Sequence, residues 1–192
     1  MEHAEVQLLD KKNRQRQRII QSAADLFIQK GARAVSMDDI ALSAELSRRT
    51  LFNYFPSKDE LLYEVAEPVL TRALQLAAQA SAGLQPGLED IVRLTLDLWH
   101  DCGSRLGLIY MVELEESPRL AGLHAAFLKQ FQSLTATASG RAGLEPGDAR
   151  LAGRLVYRLF LPFLQALEPL ADLDQRYMQG FSALLRSTLK MV

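Results

Sequence analysis

The feature that most constrains this chain is the spacing of its apolar residues. From about residue 11 to residue 190 they recur every three or four positions. Nowhere do apolar and polar residues alternate between turn signals as a half-buried strand requires. Such a chain builds its core from amphipathic helices packed on one another. The first helix is expected from about Lys11 to Lys30, with Ile19, Ala23, Leu26 and Phe27 on one face and Gly31 as its stop. Ser36 can cap a short second helix, "SMDDIALSA", with Asp39 three residues on as the partner in a capping box. Ser47 can cap a third, which ends near Phe55 and Pro56. Ser57-Lys58-Asp59-Glu60 opens a fourth, carrying Leu61, Leu62, Val65, Val69, Ala73 and Leu76 at helical spacing. Pro68 inside it predicts a kink or a break. "AGLQPG", residues 82–87, reads as a linker. Five more helices are expected at roughly 88–102, 104–116, 118–138, 146–168 and 174–190. The fold class is all-α, with about nine helices.

The charge is unevenly placed. The net value is −1, yet residues 11–58 carry ten basic side chains (Lys11, Lys12, Arg14, Arg16, Arg18, Lys30, Arg33, Arg48, Arg49, Lys58) against four acids (Asp25, Asp38, Asp39, Glu45). A basic head on an acidic body points to an anionic partner for the head. Cys102 is the sole cysteine, so no disulfide can form within the chain, which fits a reducing, cytoplasmic setting. The N-terminus lacks the basic-then-apolar order of a signal peptide. The densest apolar run, "LVYRLFLPFLQAL", is interrupted by Arg158, Pro162 and Gln165 and is too short for a bilayer, so no membrane association is expected.

The second and third helices are short and joined by about three residues, the layout of a helix-turn-helix. At 100° per residue, Leu51, Phe52 and Phe55 fall on one side of the third helix, toward the first helix and Ile40. Arg49, Thr50, Asn53 and Tyr54 face the other way. The apolar trio anchors the helix, and the polar set is left for a partner. Arginine forks onto guanine or phosphate and asparagine suits adenine, while Thr and Tyr hydroxyls suit phosphate oxygens.

The run "RIIQSAADLFIQKGARAVSMDDIALSAELSRRTLFNYFPSKDELL" strongly resembles the N-terminal domain of the TetR family of bacterial repressors. The resemblance covers about residues 15–62 and rests on Ile19, Ala23, Leu26-Phe27, Gly31, Ile40-Ala41, Thr50-Leu51-Phe52, Phe55 and Lys58. It departs at the turn, where Glu45 stands in place of the family's usual glycine; at positive φ, Glu would cost about 1 kcal/mol there. The resemblance implies a flexible tail at 1–10, a DNA-binding domain at 11–62, and a C-terminal ligand-binding and dimerisation domain at 63–192. It brings in Arg48, which the wheel alone turns toward the interior, and ranks Arg48 and Arg49 as base readers. Thr50, Tyr54 and Lys58 match phosphate-contact positions, Ser36 adds a contact at the start of the second helix, and Ser47 joins the same interface. The partners implied are a palindromic double-stranded DNA operator, a small apolar or amphipathic effector and a second copy of the chain, with no cofactor. Candidate effector-cavity residues are Trp99, Tyr110, Phe127, Phe131, Tyr157 and Phe160. The last two helices are the expected dimer interface, through Leu155, Leu159, Phe163, Tyr177, Gly180, Phe181, Leu184 and Leu185.

Other chemistry finds less support. Cys102 reads as a small buried residue. His100 and His124 are not at i, i+4 spacing, and no Glu-x-x-His occurs, so no metal site is expected. Glu113 shares a helical face with Ile109 and Val112 and reads as a solvated acid. There is no phosphate-cradling Gly loop and no nucleophile motif, which argues against an enzyme. The alternatives are a helical-bundle ligand carrier or enzyme with an incidental helix-turn-helix, and an adaptor that offers its third helix to a protein.

Overall fold

The structure, a computed structural model, describes residues 2–83, 86–111, 117–141 and 146–190. Among the described residues there are nine α-helices, one 3-10 turn and no strand. The helices are α1 (Glu2–Lys30), α2 (Met37–Ser43), α3 (Arg48–Tyr54), α4 (Lys58–Ser81), α5 (Leu88–Cys102), α6 (Leu106–Met111), α7 (Pro118–Arg141), α8 (Pro146–Leu167) and α9 (Leu173–Lys190). The 3-10 turn, Gly103–Arg105, leads into α6. Two compact units form: Met1–Val69 with Gly107–Ala121, and Leu70–Leu106 with Gly122–Val192. The division between them lies within α4.

Three expectations about helices need correction. Helix α1 begins at Glu2, where a flexible tail to residue 10 was expected. Gln7, Leu9, Lys11 and Lys12 are good helix formers, and Asp10 pairs with Arg14 one turn on, so nothing in this stretch stops a helix. Helix α4 runs on across Pro68, so of the kink or break expected there the break does not occur. The proline removes only the bond to the carbonyl of Glu64, and it sits on an exposed position where water can serve that oxygen. Helix α6 starts at Leu106, after the 3-10 turn. Glu113 lies outside the described residues.

In the first unit α1 packs on α2, and α2 on α3. Ile19, Ala23 and Phe27 of α1, Ile40 and Ala41 of α2, Leu51 of α3, and Phe55 with Leu61, Leu62 and Val65 make the core. Burying each large side chain contributes roughly 1.5–3 kcal/mol, and Leu51 and Phe55 together hold α3 in place.

In the second unit α5, α8 and α9 pack on one another. Val156, Phe160 and Leu164 of α8, and Tyr177, Phe181 and Leu185 of α9, are buried at i, i+4 spacing. Phe181 stacks on Tyr177 with ring centroids 5.0 Å apart. The Tyr177 hydroxyl meets the buried Thr95 hydroxyl of α5 at 2.7 Å. Tyr177, Phe181 and Leu185 are therefore core residues of a single chain, which corrects their expected place in a dimer interface. Gly180 has a similar explanation: a Cβ there would come within 3.0 Å of the Phe163 ring, so the missing side chain makes room for α8 of the same chain. Leu155, Leu159, Phe163 and Leu184 are half-buried and retain surface for a neighbour. Among the described residues no helix is long and apolar enough to cross a membrane.

Candidate nucleic-acid interface and ligand cleft

Two serine caps position the helix-turn-helix. The Ser36 hydroxyl accepts from the Asp39 amide at 3.1 Å, and the Asp39 carboxylate accepts from the Ser36 amide at 2.8 Å. The Ser36 hydroxyl also donates to that carboxylate at 2.5 Å, and this bond first, then the one from the Ser36 amide, holds the Asp39 carboxyl below its ordinary range. The Ser47 hydroxyl accepts from the Thr50 amide at 3.1 Å and meets the Thr50 hydroxyl at 2.8 Å. Each cap supplies one amide partner that the first turn lacks, worth about 1 kcal/mol. Between the two helices Glu45 adopts φ 55, the left-handed conformation that the turn requires. Its carboxylate pairs with Arg18 of α1, which offsets part of the strain.

On α3, Leu51 is fully buried and Phe55, at its C-cap, nearly so, while Arg49 and Asn53 are exposed and Thr50 and Tyr54 are half-buried. Arg49 has no ion-pair partner among the described residues. Arg48 behaves differently. It pairs with Asp38 at 3.0 Å, and its guanidinium lies 5.5 Å from the Phe52 ring centroid. The side chain is exposed all the same, so the inward lean read from the helical wheel is not what the structure shows. Lys58 donates to the carbonyl of Ala32 at 2.9 Å, so one of its three donors already ties α4 to the segment after α1. In the basic segment of α1, Arg14 pairs with Asp10, Arg16 with Glu64 and Arg18 with Glu45. Arg16 also lies 5.1 Å from the Phe55 ring centroid. These pairings neutralise much of the basic run in the free chain. Leu42 of α2 is 81% exposed, an apolar surface position that periodicity did not single out.

The aromatic residues of α7 and α8 form one cluster. Phe127 and Phe131 have centroids 5.6 Å apart, and Tyr157 lies 6.2, 6.3 and 6.3 Å from Phe127, Phe131 and Phe160. Phe131 and Tyr157 also line a cleft of about 210 Å³, whose other walls are His124, Leu128 and Gln132 of α7 and Gly153, Arg154 and Arg158 of α8. The His124 Nε2 meets the Tyr157 hydroxyl at 2.8 Å. Burial pushes the histidine pKa down and the tyrosine pKa up, so both are neutral at pH 7. Phe127 and Phe160 are buried behind this wall. Trp99 is buried on α5 and does not reach the cleft. The side chain of Tyr110 lies outside the described residues. The polar walls, His124, Gln132, Arg154 and Arg158, were missed because each looks ordinary on its own helix. Among the described residues no three His, Cys, Asp or Glu side chains converge as a metal site would need.

Residues 19–65 match the family described as bacterial regulatory proteins, tetR family. A 55-residue stretch is 38% identical to the HTH-type transcriptional regulator EthR of Mycolicibacterium smegmatis, covering 29% of this chain and 25% of that protein. The chain thus spans about a quarter of the length of the curated relative it matches. Two solved structures share the fold over most of both chains. The ketosteroid transcriptional regulator KstR2 of Mycobacterium tuberculosis superposes with a TM-score of 0.71 at 16% identity, over 90% of this chain and 93% of that one. AmtR of Mycobacterium smegmatis gives 0.65 at 21% identity, over 88% and 84%. Residues 19–65 thus match the family of tetR-type bacterial regulatory proteins, and the chain shares its fold with KstR2 and AmtR.

Proposed function

We propose that this chain is a DNA-binding transcriptional regulator, a repressor that leaves a palindromic operator in the cytoplasm when a small apolar or amphipathic effector binds. The observation that carries the reading is α3 itself. Its apolar side is sunk in the domain while Arg49 and Asn53 stand exposed, and Ser47 caps the end that would enter the groove. Arg49 and Arg48 read base edges, with Arg48 first released from Asp38. Thr50, Tyr54, Lys58 and the first turn of α2 at Ser36 hold the phosphates. Residues 11–62 form the DNA-binding domain, and residues 63–192 carry the effector site and the contacts of a homodimer. The half-buried Leu155 and Leu159 with the exposed Pro162 and Ala166 of α8, and Ala183 and Leu184 of α9, supply an apolar face for that dimer. Its two-fold axis sets two recognition helices about one DNA turn apart, roughly 34–36 Å. An effector acts only through a difference in its affinity for the two arrangements of the heads, and the coupling is reciprocal.

Selection from random duplexes tests this. Full-length protein is expected to enrich a palindrome with half-sites one turn apart. Recovery of unpatterned DNA, or of none, would leave the adaptor or carrier readings in its place.

A further inference from the structure

We propose that the cleft between α7 and α8 is a binding site for a small organic carboxylate, an acid with a compact aryl or alkyl body. This deepens the reading above, because it names the chemical class of the effector, and it rests on that reading for its consequence at the DNA. The cleft is too small for a drug-sized ligand, whose sites run roughly 300–1,000 Å³, but suits a compact acid. Leu128, Phe131 and the backbone at Gly153 give the body an apolar wall. No side chain stands at Gly153, whose own Cβ would already touch Thr135 at 3.5 Å.

The polar groups select the head. Arg154 and Arg158 stand one turn apart on α8, both exposed at the rim, and neither has a carboxylate partner among the described residues. Two guanidiniums with no acid paired to them among the described residues favour an anion, and a carboxylate fits their planar forks. A cationic ligand would meet no counter-charge on this wall. Deeper in, His124 is 93% buried by its 7% relative exposure, yet its Nδ1 has no hydrogen-bond partner. With the proton on Nδ1, Nε2 accepts from the Tyr157 hydroxyl, and the orphaned Nδ1–H is left as a donor. That arrangement places one neutral N–H donor in the same cleft as two positive forks.

The experiment uses the full-length protein and measures binding by calorimetry and thermal shift. The probes are phenylacetate and hexanoate, with phenylacetamide as the uncharged control. Both acids are expected to bind and to raise Tm, and the amide to bind at least about tenfold more weakly, since a charge-assisted pair is worth that much. The double variant Arg154→Gln, Arg158→Gln should lose about tenfold or more in acid affinity while keeping its helical content and its Tm without ligand. Tyr157→Phe, which removes the hydroxyl that fixes the Nδ1–H tautomer of His124, should weaken the acids more than the amide. The proposal is overturned if neither acid binds, if the amide binds as well as phenylacetate, or if the double arginine variant binds the acids like wild type. Operator affinity measured without acid separates the two readings. Tight operator binding with no acid binding removes the cleft assignment alone, and acid binding without operator binding removes the repressor reading alone.

Discussion

Lys58 shows how one side chain can carry two duties. Its ammonium donates to the Ala32 carbonyl, and the same group is the proposed phosphate contact at the start of α4. Lys58→Ala is therefore expected to weaken all duplexes about equally and to lower domain stability by about 1–3 kcal/mol. Urea denaturation beside DNA titration checks both. A variant that loses DNA affinity with unchanged stability would mean that the Ala32 bond contributes nothing. Cys102 is a contrasting case. Burial first, and then the neighbouring Asp101, push its thiol up to about 11 from an ordinary 9.0. The folded chain favours the neutral thiol, so this contribution to stability is full below about pH 9 and is lost as the pH rises through about 11. Only the thiolate is nucleophilic, so iodoacetamide should label Cys102 far more slowly than a free thiol at pH 8, with the rate climbing toward pH 11. Labelling at pH 8 as fast as a free thiol would contradict this and reopen a redox role for Cys102.

At the scale of elements, the helix-turn-helix was legible in the sequence because everything that defines it is local. Ser36 and Asp39, Ser47 and Thr50, and the Leu51-Phe52-Phe55 side of α3 lie within a turn or two of one another, and their spacing fixes their geometry. The Glu45 turn was legible for the same reason. The aromatic face of α9 was not. Periodicity marks Tyr177, Phe181 and Leu185 as buried without saying whether α5 of the same chain or a second chain covers them, and the Thr95–Tyr177 hydrogen bond spans 82 positions. The cleft was illegible for a related reason: His124 and Tyr157 meet only because α7 and α8 fold back on one another. The structure separates two substitutions that look alike in sequence. Phe181→Ala should cost about 3–5 kcal/mol as a core truncation and unfold the second unit. Ala183→Glu, at an exposed position, should leave the helical content unchanged and yield monomers in sedimentation velocity. A dimeric Ala183→Glu protein would move the interface away from this face of α9.

At the scale of the whole molecule, the uneven charge becomes intelligible. Arg14, Arg16 and Arg18 are each matched by an acid, so the free head presents less positive charge than its composition suggests. Arg49 is the exposed exception on the recognition helix. DNA binding on this account combines sequence-independent phosphate attraction with base reading by a few α3 side chains, and the two respond differently to salt and to sequence. The most direct test is a fluorescence-anisotropy titration of wild type and Arg49→Ala against the selected operator and a scrambled duplex, at matched salt. The expected result is a loss of about 1–3 kcal/mol on the operator, a much smaller loss on the scrambled duplex, and a relaxed base preference at one position in each half-site. Equal affinity of the two proteins for the operator would contradict the assignment of α3 as the reading helix.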